Sequence, residues 1–384
     1  MNYQKLFQKL PTPTYVISET LLRKNLELLK YLQDETGVKI LLAQKCFSMF
    51  HFYPLIEKYL TGTAASGLFE ARLAHEYFHG ENHIFSPAYK SEEIDKIAEM
   101  CEHVVFNSFR QVEKFANIIK SNKHQIGLRI NPEYSTQTHA IYDPCSPTSR
   151  LGVRFAEFVD FAKKRPELIE LIDGLHMHTL CEQNSDALEL TVEVFESKFG
   201  RWLDKFKWIN LGGGQLITRE DYDLERLKKI INHLQKKYNL TVYLEPGEAV
   251  ALNAGFLVST IMEIQKQIDG VSNVIIDASA ACHMPDVIEM PYRPDIIGDV
   301  ANGKYRYRFG SMTCLAGDVI GEYAFDDPLN EGDKVIFTDM AIYTMVKNNT
   351  FNGMNLPTIA IIDENCRLKT IRQFGYNDFK MRLS

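Results

Sequence analysis

The sequence predicts an α/β protein, a (β/α)8 (TIM) barrel with a C-terminal all-β domain. Three observations carry that prediction. Eight short apolar or β-branched runs recur between residues 38 and 245, with helix-period stretches between them. The pattern changes near Gly255, after which β-type runs separated by turn residues dominate. Polar residues and glycines gather at the C-terminal ends of seven of the eight runs, the face where such barrels carry their chemistry.

In chain order, residues 14–17 form a β-type run after Pro11-Thr12-Pro13. Residues 19–35 read as an amphipathic helix with Leu22, Leu26, Leu29 and Leu32 on one face. Barrel strands are expected at 38–43, 61–65, 83–86, 103–106, 125–130, 171–178, 207–211 and 240–245. Helices are expected near 50–59, 68–78, 91–101, 108–120, 155–164, 186–205 and 224–238. The later strands are expected at 257–264, 273–277, 305–309, 334–338, 342–346, 358–362 and 368–374. The barrel thus occupies 18–254 and the β-domain 255–384. The strand within 1–17 joins the β-domain, since the barrel has its eight without it.

Composition narrows the function. The chain has 384 residues, 45% hydrophobic and 24% charged, enough for one large domain and a smaller one. Seven cysteines, odd in number and without C-x-x-C spacing, imply reduced thiols in a cytoplasm, not disulfides or structural zinc; no metal site is expected. Residues 1–10 lack the apolar core of a signal peptide, and no run reaches transmembrane length. A net charge of −7 disfavours nucleic acid and mildly favours a cationic substrate. No membrane partner is expected.

The strand ends carry Lys45, Ser66, Asn107, Asn131, His178, Gly212-Gly213-Gly214 and Glu245. Singly, each has an ordinary reading: a lysine leaving the core, a core histidine, a flexible glycine turn, a turn glutamate before Pro246-Gly247. Together they fit one cofactor. A lysine held and desolvated at a barrel mouth can form a Schiff base. Consecutive glycines let backbone N–H groups approach a phosphate. A histidine can lie against an aromatic ring, and a carboxylate can keep a pyridine nitrogen protonated. That combination points to pyridoxal 5′-phosphate.

The motifs then resemble a known family. Lys45, Gly67-Leu68-Phe69-Glu70, Gly174-Leu175-His176-Met177-His178, Leu211-Gly212-Gly213-Gly214, Glu245-Pro246-Gly247, Cys314-Leu315-Ala316-Gly317-Asp318, and Tyr343 with Phe351-Asn352-Gly353 are similar to the fold-type III pyridoxal phosphate decarboxylases. Those enzymes share a barrel plus β-domain with alanine racemase. The resemblance spans roughly residues 11–376. His178-Thr179-Leu180-Cys181-Glu182-Gln183 and the 284–294 stretch most resemble the branch acting on carboxynorspermidine and carboxyspermidine.

The resemblance implies roles. Lys45 would bond the cofactor and His178 would stack on its ring. Ser66, Gly212, Gly213, Gly214 and Gly247 would line its cradle, with Tyr343 reaching the phosphate. Glu245 would pair with the ring nitrogen; racemases of this fold place an arginine there, so Glu245 favours decarboxylation. Cys314 would come from the partner subunit of a homodimer and reprotonate the substrate carbon, with Asp318 helping to bind a substrate amine. Relatives acting on ornithine or diaminopimelate read Glu-Pro-Gly-Arg where this chain has Glu248, and Met284 replaces a further arginine that grips a distal carboxylate. The acidic Glu248, Asp286 and Glu289 are the candidates for the distal amines of a polyamine-like substrate, with Glu322 behind them. The alternatives are a related decarboxylase acting on diaminopimelate, ornithine or arginine, or a non-catalytic homologue.

Overall fold

The computed structural model describes residues 2–137 and 143–384. The chain divides into two compact units, one formed by residues 25–250 and the other by the N-terminal residues up to Lys24 together with 251–384.

The first unit is a closed parallel barrel. Its strands are Lys39–Ala43, Gly62–Ala65, Glu81–Phe85, His103–Phe106, Gln125–Asn131, Gly174–His176, Trp208–Asn210 and Thr241–Leu244. Each pairs in parallel with the next, and the eighth closes on the first with Tyr243 opposite Lys39. The strands are almost wholly buried, which is why they read as apolar runs without alternation. The stretch expected at 171–178 pairs only over Gly174–His176, which leaves Met177 and His178 beyond the ladder.

Helices cover the barrel for local reasons. In Phe109–Ser121, Phe109, Val112, Phe115, Ala116 and Ile119 are buried at helical spacing, and Ser108 caps the start by accepting from Gln111 N. Leu224–Tyr238 is capped by Asp223 and stopped by Asn239, whose φ of 56° is left-handed. The helix expected at 50–59 is broken into Phe50–Phe52, a 3₁₀ turn, and the short Tyr53–Ile56. The helix expected at 186–205 ends at Phe199 and continues as a 3₁₀ segment. Among the described residues, no helix is long and apolar enough to cross a membrane.

A polar layer fills the N-terminal end of the barrel. His83 and His103 stack with ring centroids 3.9 Å apart, and Glu81 accepts from His83 Nε2 (2.9 Å) and Tyr243 Oη (3.0 Å). Glu81, His83 and His103 offer ligand-type atoms within 4.8 Å of one another. The Lys39 ammonium already sits on that carboxylate, however, and the imidazoles lie nearly parallel instead of converging.

In the second unit the long strand Gly255–Gln265 is central. It pairs antiparallel with Thr14–Ser18, Ser272–Ile276 and Lys334–Thr338. Thr14–Ser18 then pairs in parallel with Thr358–Ile362, so the N-terminal strand lies in this sheet. Two expectations change. Val319–Phe325 is a strand that the apolar runs did not mark, because only Ile320, Tyr323 and Phe325 are buried, the register shifts, and Gly321 and Glu322 interrupt it. Residues 342–346 are not a strand. Tyr343 is left-handed (φ 48°), Thr344 Oγ1 donates to Met340 O at 2.6 Å, and Lys347 N bonds Thr344 O, so local turn bonds override the β-branched composition.

Candidate active site

The barrel brings Lys45, His178, the three glycines and Glu245 to one rim. Lys45 follows strand Lys39–Ala43 in a turn fixed by Ala43 N to Pro246 O (3.0 Å) and Gln44 N to Ala64 O (3.1 Å). Gly247 lets that turn sit close: a Cβ there would stand 2.5 Å from Cys46 Cβ. Lys45 Nζ lies 3.5 Å from His178 Nε2. The Lys45 residue is exposed.

His178 accepts from Gly213 N at Nδ1 (3.0 Å), so its neutral ring carries the proton on Nε2, the atom facing Lys45. Burial holds the ring well below the ordinary histidine range, and nearby Lys45 and Arg129 add to this. Glu245 sits at the end of the eighth strand. Burial works against its charge, but Asn210 Nδ2 (2.7 Å) and His176 Nε2 (3.2 Å) donate to it, and the carboxyl is held down at about 2. Burial also depresses His176, and its Nδ1 is buried without a partner. His176, through charge and hydrogen bond, and then Asn210 keep Glu245 ionised against its burial.

Arg129 completes this layer. It is 5% exposed, its Nη2 donates to His178 O (3.1 Å), and its guanidinium lies 4.5 Å over the Phe85 ring, which stacks on His176. Burial lowers its pKa to about 10 with Glu245 pulling upward, which leaves a buried cation.

The glycines are required by packing as well as by any ligand. A Cβ would meet Met177 O at 2.6 Å from Gly212, Glu245 O at 2.2 Å from Gly213 and Leu180 O at 2.0 Å from Gly214. Two of the three N–H groups are already engaged: Gly212 N with Asn210 Oδ1 (2.9 Å) and Gly213 N with His178 Nδ1. The Gly214 N–H alone faces no partner among the described residues. Ser66 is exposed, and its N–H binds Glu70 Oε2 (2.6 Å). Gln44 Nε2, Thr179 Oγ1 and Gln215 Nε2 are buried without partners, each one residue beyond or before Lys45, His178 and Gly214. An ionised carboxylate, a lysine beside a neutral imidazole and an unclaimed glycine N–H together suit a charged heterocycle with a phosphate arm. Asn107 and Asn131, the other strand-end residues, instead bind the backbone of residues 150–152.

In the second unit Cys314 is exposed, its N–H and Sγ–H both directed at Asn352 Oδ1 (3.0 and 3.2 Å). Asp318 differs from expectation. It is 4% exposed and accepts from Ser279 Oγ (2.7 Å), Ser311 Oγ (2.6 Å), Thr313 Oγ1 (2.5 Å) and Ala281 N (3.2 Å). Three of these bonds fall on Oδ2 and one on Oδ1, and together they anchor the loop that carries Cys314. Asp286 and Glu289 share the Lys347 ammonium. Met284 is a core residue, 1% exposed, and not a pocket wall. Glu322 pairs with Arg308 and Arg306. Tyr343 is half-buried in its turn, and Glu248 opens the four-residue helix Glu248–Ala251 in the barrel unit.

Sequence reasoning missed His176, Asn210, Arg129 and Asn352. The first three lie two residues before His178, Gly212 and Asn131, on the same strand face.

The family described as pyridoxal-dependent decarboxylase, C-terminal sheet domain, matches residues 14–341. A carboxynorspermidine/carboxyspermidine decarboxylase of Campylobacter jejuni is 42% identical, covering 98% of this chain and 99% of the relative. A carboxyaminopropylagmatine decarboxylase of Synechocystis is 39% identical over 97% of this chain and 96% of the relative. The crystal structure of C. jejuni carboxynorspermidine decarboxylase complexed with norspermidine superposes with a TM-score of 0.89 at 41% identity, covering 97% of this chain and all of that one. The chain is therefore a member of the pyridoxal-dependent decarboxylases, carboxy-lyases that use pyridoxal 5′-phosphate.

Proposed function

We propose that this protein decarboxylates carboxynorspermidine or carboxyspermidine to the corresponding triamine in polyamine biosynthesis. The observation that carries the reading is the end-to-end 42% identity to a relative of that activity. The norspermidine-bound neighbour supports it.

Bound pyridoxal phosphate supplies a covalent attachment for the substrate amine and an electron sink for the bond pair left when CO₂ departs. In this reading Lys45 holds the cofactor and yields it to the substrate. Glu245, kept ionised by Asn210 and His176, holds a proton on the ring nitrogen. His178 stays neutral and gives an uncharged face to the ring. Ser66, Gly247 and Gly212–Gly214 line the cradle, with the Gly214 N–H as the free donor to the phosphate and Tyr343 as a further phosphate contact. Arg129 is an additional cation of the site, fixed by His178 O.

Cys314 then returns a proton to the carbon that lost CO₂. We assign it to the partner subunit's site in a homodimer. If so, Lys45→Ala and Cys314→Ala chains are each nearly inactive, and mixing them restores about a quarter of parental activity through hybrid dimers. No recovery after verified subunit exchange would contradict the shared site. A cytoplasmic location belongs to the same reading and is supported by seven free cysteines.

Glu248, with Asp286 and Glu289, is proposed to attract the distal amines. Glu248 also repels a distal carboxylate, so diaminopimelate is disfavoured on the order of a thousandfold. A second reading has one observation behind it: the 39% identical relative acts on carboxyaminopropylagmatine, whose far end is a guanidinium instead of an amine. CO₂ release from the two carboxytriamines, carboxyaminopropylagmatine, diaminopimelate, ornithine and arginine decides between them. Fastest turnover of a carboxytriamine is expected; fastest turnover of any other substrate overturns the assignment.

A further inference from the structure

We propose that Asn352 is a positioning residue that holds the Cys314 thiol proton in place for transfer, an inference that rests on the proton-donor reading of Cys314. One oxygen, Asn352 Oδ1, accepts from both the Cys314 backbone N–H (3.0 Å) and its Sγ–H (3.2 Å). The pair of bonds fixes the Cα and the sulfur of the same residue, and with them the direction of the thiol.

The backbone shows that the amide is wanted for its side chain. Asn352 is left-handed, with φ 56° and ψ 18°, and Gly353 next to it is left-handed too (φ 76°). Glycine is the least strained residue there, and asparagine is tolerated at some cost. A turn that glycine would satisfy carries an asparagine whose oxygen meets the thiol.

A shared platform sets the two partners. The Cys314 loop is tied through Asp318 to Ser279 Oγ and Ala281 N. The Asn352 turn is tied through Asn349 to Ala281 O (2.8 Å) and Cys282 O (3.0 Å), with Phe351 N returning to Asn349 Oδ1 (2.9 Å). Both loops therefore hang on the short helix Ala280–His283 and its cap. Their distance is set by buried bonds although both side chains are exposed.

In the transfer the Sγ–H bond breaks and a C–H bond forms with the electron pair left by CO₂. The thiolate then regains a proton from water. Protonation of the cofactor's own carbon instead leads, after water adds, to an aldehyde and the amine form of the cofactor. A misaimed thiol should shift turnovers toward that outcome, whereas a merely loosened fold slows both.

The test uses holoenzyme with Asn352→Gly, which keeps the left-handed backbone and deletes the oxygen, and Asn352→Asp, which keeps an acceptor. Asn352→Gly should raise the aldehyde fraction at least tenfold, and Asn352→Asp should return it to within about threefold of the parent. A second readout needs no turnover. Cys314 and Cys366 are the exposed thiols, so in a Cys366→Ser background iodoacetamide should alkylate Cys314 severalfold faster in Asn352→Gly, with Asn352→Asp near the parent. An aldehyde fraction in Asn352→Gly within twofold of the parent overturns the proposal, and so does an unchanged alkylation rate. If Cys314→Ala itself gives the parental product ratio, the proton-donor reading fails, and the alkylation rate alone decides whether Asn352 holds the thiol.

Discussion

Glu245 in the barrel and Asp318 in the β-unit are both held ionised against burial, and both stand in motifs shared with the decarboxylases. Their surroundings differ in one countable respect. A carboxylate offers about four lone-pair positions. Asn210 and His176 take two on Glu245. On Asp318 three hydroxyls crowd onto Oδ2 and a backbone N–H takes one position on Oδ1. Glu245 keeps capacity on both oxygens for a ligand, whereas Asp318 spends most of its capacity on holding the protein. The same distinction separates the Gly214 N–H from those of Gly212 and Gly213.

The largest expected effect tests the unsaturated member. Glu245→Gln should lower turnover by roughly a hundredfold or more, since the ring nitrogen loses its anionic partner. It should also change the acid response. Glu245 titrates below the ordinary carboxylate range of ~4.3, near about 2. Its contribution to stability is therefore full above that range and is lost as the pH falls through the folded value. The gap in Tm between parent and Glu245→Gln should narrow from pH 6 to pH 3; a constant gap would show that the carboxylate is not stabilised as described.

Asp318→Asn should act in the opposite proportion. Replacing one oxygen by an NH₂ sets donor against donor, a cost of about 2–4 kcal/mol in a buried site. Thermal melts should show the loss, while turnover at a temperature where the variant is folded should fall less than tenfold. A large drop in kcat with unchanged Tm would return Asp318 to the substrate.

The smallest effect concerns Asp286 and Glu289, which lie between the two extremes because Lys347 neutralises part of their charge. Lys347→Met should lower KM for a carboxytriamine about two- to threefold, the scale of a partly exposed ion pair. An unchanged KM would remove both carboxylates from the substrate-binding set.

The fold was legible because the parallel strands are buried on both faces and so appear as apolar runs. Alternation and turn chemistry were harder to read. Val319–Phe325 buries only three residues, spaced across a glycine and a glutamate, and the β-branched 342–346 segment is bent by Tyr343 and Thr344. Strand-end residues were legible as types, but their free capacity was not. Neither the protein bonds that hold Asp318 nor the burial of Met284 in the core leaves a mark on the sequence. The partners of the site were recoverable in part, since a period of two carries one back from His178 to His176 and from Gly212 to Asn210. Asn352 was visible only as part of a motif, and its contact with Cys314 depends on two loops sharing one helix.

The central claim is that the barrel rim around Lys45 is the cofactor site. Borohydride reduction of the purified holoenzyme, followed by peptide mapping, tests it most directly. The account predicts that reduction bleaches the visible absorption band and leaves one pyridoxyl group per chain, on Lys45, with none trapped in Lys45→Ala. A reduced adduct on any other lysine, or one that persists in Lys45→Ala, would contradict it.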